Sequence, residues 1–122
     1  MIGYVTLGTN DIERAGRFYD ALLAELGAQR IMSSDGLIMW GNGPGKPMLS
    51  VIKPNDGKAA TVGNGTMVAL IVDDKAKVDA VYKKAMALGA KDEGPAGPRG
   101  DSFYAGYFRD ADGNKLNVFV MG

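Results

Sequence analysis

The groups best suited to chemistry lie near the end of the chain, where Tyr107 precedes Asn117 by ten residues. Between them, Asp110, Asp112 and Gly113 are typical of a turn, because Asp side chains hydrogen-bond nearby backbone and glycine tolerates a positive φ. The pattern predicts a strand, a tight turn and a second strand. A phenol can donate or accept a hydrogen bond, and tyrosine is also common in half-buried strands for packing alone.

The composition narrows the chemistry that the chain could perform. The 122 residues include no His and no Cys, which excludes disulfides, iron–sulfur clusters, thiolate zinc sites and a Cys nucleophile. A general base would have to be a carboxylate, Tyr or Lys. Fourteen basic and fourteen acidic residues give zero formal net charge, without the basic excess of nucleic-acid binders.

The hydropathy pattern gives no sign of export or membrane insertion. The start of the chain lacks a basic segment followed by an apolar run, so it does not match a signal peptide. No stretch approaches the roughly 18 apolar residues of a membrane span. We therefore expect a cytoplasmic protein with neither a nucleic-acid nor a membrane partner. Zero net charge fits a protein that associates with itself.

The first half of the chain predicts one helix among short strands. Tyr4–Leu7 is β-rich, and Asn10 with Glu13 matches a capping box at the start of a helix. Apolar residues recur at helical spacing up to Gly27, which ends the helix. Asp35-Gly36 is a hairpin dipeptide between strands near 30–32 and 37–40, and a further strand covers 48–52.

The second half repeats this pattern. Val5 and Val68 are 63 residues apart, and so are Tyr19 and Tyr82. A strand over 66–72 precedes a helix capped by Asp73 or Asp74, a Gly/Pro-rich loop from Gly94 to Gly100, and the final hairpin. The self-similarity predicts a duplicated βαβββ unit.

The turn Asp110-Ala111-Asp112-Gly113-Asn114 and the two strand–helix–Gly-Ala units resemble the glyoxalase I / bleomycin-resistance / extradiol dioxygenase superfamily, which has the vicinal oxygen chelate fold. The resemblance covers nearly the whole chain. It implies an α+β fold in which two βαβββ modules form curved mixed sheets around a cleft. The expected organisation is one glyoxalase-like domain over 1–122, with a first module at about 1–56 and a second at about 64–122. It also implies a homodimer.

The resemblance also locates the positions that hold a metal in metal-dependent members. The first-strand ligand, commonly His, corresponds to Tyr4, and its counterpart in the second module corresponds to Met67. The Glu ligand of the last strand corresponds to Asn117, and the remaining position lies near Leu49 or Ser50. Such side chains are weak ligands for divalent first-row metals. We therefore expect no metal and no cofactor.

A metal-free cleft could still bind an organic molecule. Alternation places Phe119 on the strand face of Asn117 and Thr6 on that of Tyr4. Arg99 could clamp an anionic group or be a solvated loop charge, and Trp40 could border the cleft, border a dimer contact or belong to the core. The predicted ligand-binding residues are Tyr4, Thr6, Trp40, Met67, Arg99, Tyr107, Asn117 and Phe119. The alternative is a packed core without a cavity.

Three functions remain open at this point. The first is a binding protein, similar to the bleomycin-resistance proteins, that takes a small organic molecule into the cleft without metal. The second is a metal-free lyase or isomerase of the same superfamily, with Tyr107 as the candidate catalytic residue. The third is a non-catalytic dimerisation or regulatory module.

Overall fold

The computed structural model describes residues 1–122 and contains eight strands and two helices. In chain order these are β1 (Tyr4–Gly8), α1 (Ile12–Ala24), β2 (Gln29–Ser33), β3 (Leu37–Gly41), β4 (Met48–Ile52), β5 (Val68–Ile71), α2 (Lys75–Ala87), β6 (Lys91–Pro98), β7 (Phe103–Arg109) and β8 (Lys115–Met121). The chain divides into two compact units, Met1–Val62 and Gly63–Gly122, and each contains one βαβββ module.

The two modules have the same sheet topology. The strand order is β1-β4-β3-β2 in the first module and β5-β8-β7-β6 in the second. The first strand of each module pairs in parallel with the last, and the other neighbours are antiparallel. A parallel pair requires a crossover connection, which the helix and the two middle strands supply. These sheets confirm the predicted α+β fold of two βαβββ modules.

In the first module, α1 covers one face of the sheet with the apolar side predicted from its spacing. Tyr19, Leu22 and Leu23 are buried on the helix, and Trp40 and Val51 are buried on the sheet beneath it. The rings of Tyr19 and Trp40 lie 5.6 Å apart. Burying a side chain of this size contributes about 1.5–3 kcal/mol, so this face supplies much of the module's stability.

A polar network joins α1 to the sheet at the edge of this core. The indole of Trp40 donates a hydrogen bond to Asp20 Oδ1 (2.8 Å), and Arg30 donates from Nε and Nη2 to the two oxygens of Asp20 (2.8 and 2.9 Å). These hydrogen bonds, chiefly those from Arg30, hold the pKa of Asp20 below its usual value. The network fixes the orientation of α1 relative to β2 and β3.

The start of α1 differs from the prediction by one residue. Asp11, not Asn10, is the N-cap, and its carboxylate accepts a hydrogen bond from Arg14 N (3.0 Å). Asn10 instead binds a neighbouring loop, accepting from Ala60 N (2.6 Å) and donating to Ala60 O (3.3 Å). The predicted capping box was wrong because a contact distant in sequence occupies the Asn10 amide.

In the second module, α2 begins at the N-cap Asp74, one of the two predicted positions, and packs on the sheet mainly over β7. Val78 and Val81 are fully buried in this contact. Gly106 allows the close approach, because a Cβ at this position would lie 2.9 Å from Tyr82 Cδ1. Neither helix of the chain is long and apolar enough to cross a membrane.

The stretch predicted as a loop over Gly94–Gly100 is largely strand. β6 continues to Pro98 at the edge of the sheet, with irregular register on either side of Gly94, whose φ is 151°. An edge strand tolerates Pro95 and Pro98 because only one side of its backbone must pair. The abundant Gly and Pro therefore mark an irregular edge strand, and only the end of the predicted loop lies outside it.

Candidate functional site

Each sheet has one face covered by its helix and a second face, which we call the helix-free face. In the second module, Tyr104 donates a hydrogen bond to Asp79 of α2 (2.7 Å) and Gly106 lies under Tyr82, so both belong to the helix-covered face. Alternation then places Tyr107 on the helix-free face, two residues from Ala105 on the same strand.

The helix-free face of the second module brings together three residues predicted to bind a ligand. Tyr107 is the direct antiparallel partner of Asn117, and Phe119 is the partner of Ala105. Side chains in such pairs have Cβ atoms about 4.5–5.5 Å apart. Phe119 stacks on Phe103 with ring centroids 5.3 Å apart. The face thus combines an aromatic floor with one phenol and one amide.

The amide of Asn117 is the most unusual group on this face. Its side chain is 1% exposed, yet Oδ1 has no hydrogen-bond partner in the chain. Buried polar atoms are nearly always paired, and an unpaired acceptor costs about 1–3 kcal/mol. The hydroxyl of Tyr107 is also without a partner, whereas those of Tyr82 and Tyr104 bind Asp92 and Asp79. Two adjacent polar groups on this face therefore lack a hydrogen-bond partner in the chain.

Cations surround the phenol ring of Tyr107. The guanidinium carbon of Arg99 lies 5.5 Å from the ring centroid and Lys115 Nζ lies 5.6 Å from it, both within cation–π range. Arg109, the strand partner of Lys115, forms an ion pair with Glu93. The hydrogen bond from Arg109 is the main cause that lowers the pKa of Glu93.

Lys115 was missed by the sequence reasoning, although a signal for it exists. Alternation places residues 115, 117 and 119 on one strand face. The same alternation that places Phe119 beside Asn117 also places Lys115 beside it, two residues earlier in the strand. Charged residues near a turn are usually solvated, and only the paired strand shows that Lys115 reaches the Tyr107 ring.

The helix-free face of the first module holds Tyr4 and Thr6, and Tyr4 is 56% exposed. Thr6 is the parallel partner of Ser50, just as Ala69 is the partner of Asn117 in the second module. Unlike the amide of Asn117, the Ser50 hydroxyl is satisfied. It is hydrogen bonded to Thr6 Oγ1 (2.9 Å) and donates to Val5 O (3.2 Å).

The remaining predicted residues lie elsewhere. Met67, 40% exposed, directly precedes β5. Trp40 is 1% exposed and packs under α1, so its side chain belongs to the helix-covered core of the first module. The core placement was one of the alternatives left open by the sequence. We therefore leave Trp40 out of the candidate site.

A cavity of about 620 Å³ lies in the first module, beside the loop between β3 and β4. Gly41 at the end of β3 and the loop residues 42–46 line the cavity, and Ile2, Ile31 and Met48 supply an apolar wall. The cavity is of the size that small-molecule sites have. The sequence indicated only a connection between strands here, because a cavity depends on the packing of residues distant in sequence.

The residues at the family's four metal positions do not fit a first-row divalent metal. These positions hold Tyr4, Met67, Asn117 and either Leu49 or Ser50, which offer no imidazole, carboxylate or thiolate. The hydroxyl of Ser50 is moreover held by protein partners. No group of three or more His, Cys, Asp or Glu residues in the chain is arranged to hold a metal ion.

Comparison with known proteins agrees with this architecture. The family model described as the glyoxalase/bleomycin resistance protein/dioxygenase superfamily matches residues 1–118. A glyoxalase/bleomycin resistance protein from Albidiferax ferrireducens T118 is 31% identical, with a TM-score of 0.88 over 98% of this chain and 97% of that one. No curated protein is significantly similar to the chain in sequence.

More distant structures share the fold alone. Lactoylglutathione lyase from Agrobacterium tumefaciens is 23% identical, with a TM-score of 0.72 over 98% of this chain and 92% of that one. The fosfomycin resistance protein FosX from Mesorhizobium loti is 19% identical, with a TM-score of 0.71 over 100% of this chain and 92% of that one. The family-model match over residues 1–118 and the 31% identical structure show that the chain belongs to the glyoxalase/bleomycin resistance protein/dioxygenase superfamily.

Proposed function

We propose that the protein binds a small organic molecule on the helix-free face of its second module, without a metal ion. The observation that carries the proposal is the buried Asn117 amide, whose Oδ1 has no partner in the chain. A ligand that donates a hydrogen bond to this oxygen would remove a penalty of about 1–3 kcal/mol.

The chemical character of the face supports this proposal. Phe103 and Phe119 supply apolar area, while Tyr107 and Asn117 supply a few converging polar groups. Ligand sites commonly have this composition. The structural neighbours named for lactoylglutathione and for fosfomycin agree with a fold suited to small organic molecules.

A metal-free lyase or isomerase is the second candidate function, and the Tyr107 hydroxyl is the observation that favours it. A phenol without a protein partner can exchange a proton with a bound substrate, whereas the hydroxyls of Tyr82 and Tyr104 are held by carboxylates. Turnover lost in Tyr107→Phe with binding retained would establish catalysis. Equal turnover in wild type and Tyr107→Phe would show that the Tyr107 hydroxyl has no catalytic role.

We also propose that the protein forms a homodimer. Large apolar side chains are exposed at Tyr4, Ile31, Met32, Ile71 and Met121, each by more than half of its surface. Exposed apolar residues mark an interaction surface where they are contiguous, and a dimer contact would cover them. Light scattering on the purified protein should give twice the 12.8 kDa chain mass, and a monomer across the micromolar range would contradict the proposal. A dimer that binds no small molecule would instead favour a non-catalytic dimerisation module.

The test of ligand binding is a fragment screen by NMR on ¹⁵N-labelled protein, with neutral, anionic and cationic aromatic fragments. Binding fragments should shift the amide signals of β7 and β8, and Asn117→Leu should abolish these shifts. Asn55→Leu is the matched control, because Asn55 is exposed in a turn. Fragments that bind wild type and Asn117→Leu equally well, or no binding at all, would contradict the proposal.

A further inference from the structure

We infer that the molecule bound by the second module is an organic carboxylate, held by Arg99 and Lys115 beside the ring of Tyr107. The inference rests on the proposed function and names its ligand class. Two independent observations converge on the same face: two cations lie within 6 Å of one phenol ring, and the adjacent Asn117 amide is buried without a partner.

Positive charge exceeds negative charge around Tyr107. Arg109 is paired with Glu93, and Lys115 also acts on Glu93 at longer range and helps to lower its pKa, but neither Arg99 nor Lys115 forms an ion pair with a carboxylate. Asp92, the other acid at this end of β6, accepts hydrogen bonds from Tyr82 and from the backbone of Gly94. Two like charges near one ring repel each other in the ligand-free protein. A bound anion would convert this repulsion into attraction.

The protein backbone fixes the guanidinium of Arg99 without neutralising it. Arg99 Nη1 donates to the carbonyls of Gly97 (3.0 Å) and Pro98 (3.3 Å), and Nη2 donates to Pro95 O (2.7 Å). A guanidinium has five N–H groups, so two remain for a ligand. A group already held in place loses little freedom on binding, which suits a planar carboxylate with two oxygens.

The neighbouring polar groups refine the ligand class. Asn117 Oδ1 accepts hydrogen bonds only, so the ligand should carry a hydroxyl or N–H group besides its carboxylate. The stacked rings of Phe103 and Phe119 add an apolar surface on the same face. A hydroxylated aromatic acid satisfies all three requirements, and 4-hydroxybenzoate is a suitable probe.

The experiment compares 4-hydroxybenzoate with the neutral 4-hydroxybenzamide by NMR titration at low ionic strength. We expect the carboxylate to shift the amide signals of β7 and β8 and the amide to bind at least tenfold more weakly. Arg99→Gln and Lys115→Gln should each weaken carboxylate binding by about fivefold, the contribution of one well-placed exposed charge pair. Salt at about 0.5 M should weaken it further, because exposed charges are screened.

Matched controls separate recognition from general charge and folding effects. Arg17→Gln on α1 and Lys83→Gln on α2 remove exposed cations and should leave the dissociation constant unchanged. Arg99 also donates hydrogen bonds to the backbone of β6, so its replacement could affect folding. Arg99→Lys therefore serves as a second variant, which keeps the positive charge but lacks the planar guanidinium. It should bind 4-hydroxybenzoate with an affinity between those of wild type and Arg99→Gln.

Three results would overturn the inference. One such result is that 4-hydroxybenzamide binds as tightly as 4-hydroxybenzoate, and another is that both glutamine variants bind 4-hydroxybenzoate with wild-type affinity. In either case, binding to this face does not depend on the charge of the ligand. The proposed function would then stand. If 4-hydroxybenzoate leaves β7 and β8 unshifted, the carboxylate assignment fails, and the fragment screen with Asn117→Leu decides the proposed function separately.

Discussion

Replacing Asn117 by leucine should raise the free energy of unfolding of the ligand-free protein, although Asn117 is a proposed ligand-binding residue. Asn117 is 1% exposed and its Oδ1 has no partner, so folding removes this acceptor from water without compensation. That penalty is about 1–3 kcal/mol. Leucine has the same number of side-chain heavy atoms and is better suited to a strand than asparagine. We therefore expect a gain of about 1–3 kcal/mol together with lost ligand binding.

Urea unfolding followed by circular dichroism measures this change, provided that the slope against urea concentration stays constant. Ser50→Ala tests the equivalent position of the first module, where the hydroxyl is satisfied. It should lower the free energy of unfolding by about 1 kcal/mol. Asn55→Leu should change it by less than about 0.5 kcal/mol. A loss of more than about 1 kcal/mol in Asn117→Leu would refute the reasoning, because Oδ1 would then have a partner such as a buried water.

Two further predictions concern the helix–sheet contacts. Gly106→Ala should lower the free energy of unfolding by about 1–3 kcal/mol, because its Cβ would lie 2.9–3.2 Å from atoms of Tyr82 and α2 would have to move; unchanged urea unfolding would show that the contact yields easily. The pKa of Asp20 is lowered mainly by its hydrogen bonds from Arg30. The ionised carboxylate therefore adds to the free energy of unfolding above the unfolded pKa of about 3.9, and this stabilisation is lost as pH falls through the folded pKa. Asp20→Asn should therefore be less stable than wild type at pH 7, with a difference that shrinks toward pH 2 in thermal unfolding; a constant difference would contradict the hydrogen-bonded carboxylate with Arg30 and Trp40.

The order of helices and strands could be predicted from the sequence because local signals and periodicity agree along most of the chain. Asp35-Gly36 marks the turn between β2 and β3, and Met48–Ile52 forms a strand with the predicted bounds. In the last turn, Asp110 accepts from the backbone of Asp112 and Asn114, and Gly113 has a φ of 88°. These features depend on residues that are close in sequence.

The features that the sequence did not reveal depend on distant contacts. Asn10 fits a helix cap, but Ala60 occupies its amide. The loop predicted over Gly94–Gly100 is mostly part of β6. An edge strand tolerates Pro and Gly, but the sequence does not show which strand lies at the edge of the sheet. Position 117 was predicted to bind a ligand, but that its oxygen lacks a partner follows only from the packing around it.

The central claim is that the second module binds an organic molecule without a metal, and binding by metal-stripped protein tests it most directly. Protein dialysed against EDTA would be titrated with the tightest-binding fragment, and then again after addition of Zn²⁺, Ni²⁺, Mn²⁺ or Fe²⁺. The account predicts the same dissociation constant in every case, since the residues at the family's metal positions are weak ligands for these ions. They are Tyr4, Met67, Asn117 and either Leu49 or Ser50. Binding that disappears in the stripped protein and returns with one metal would contradict it.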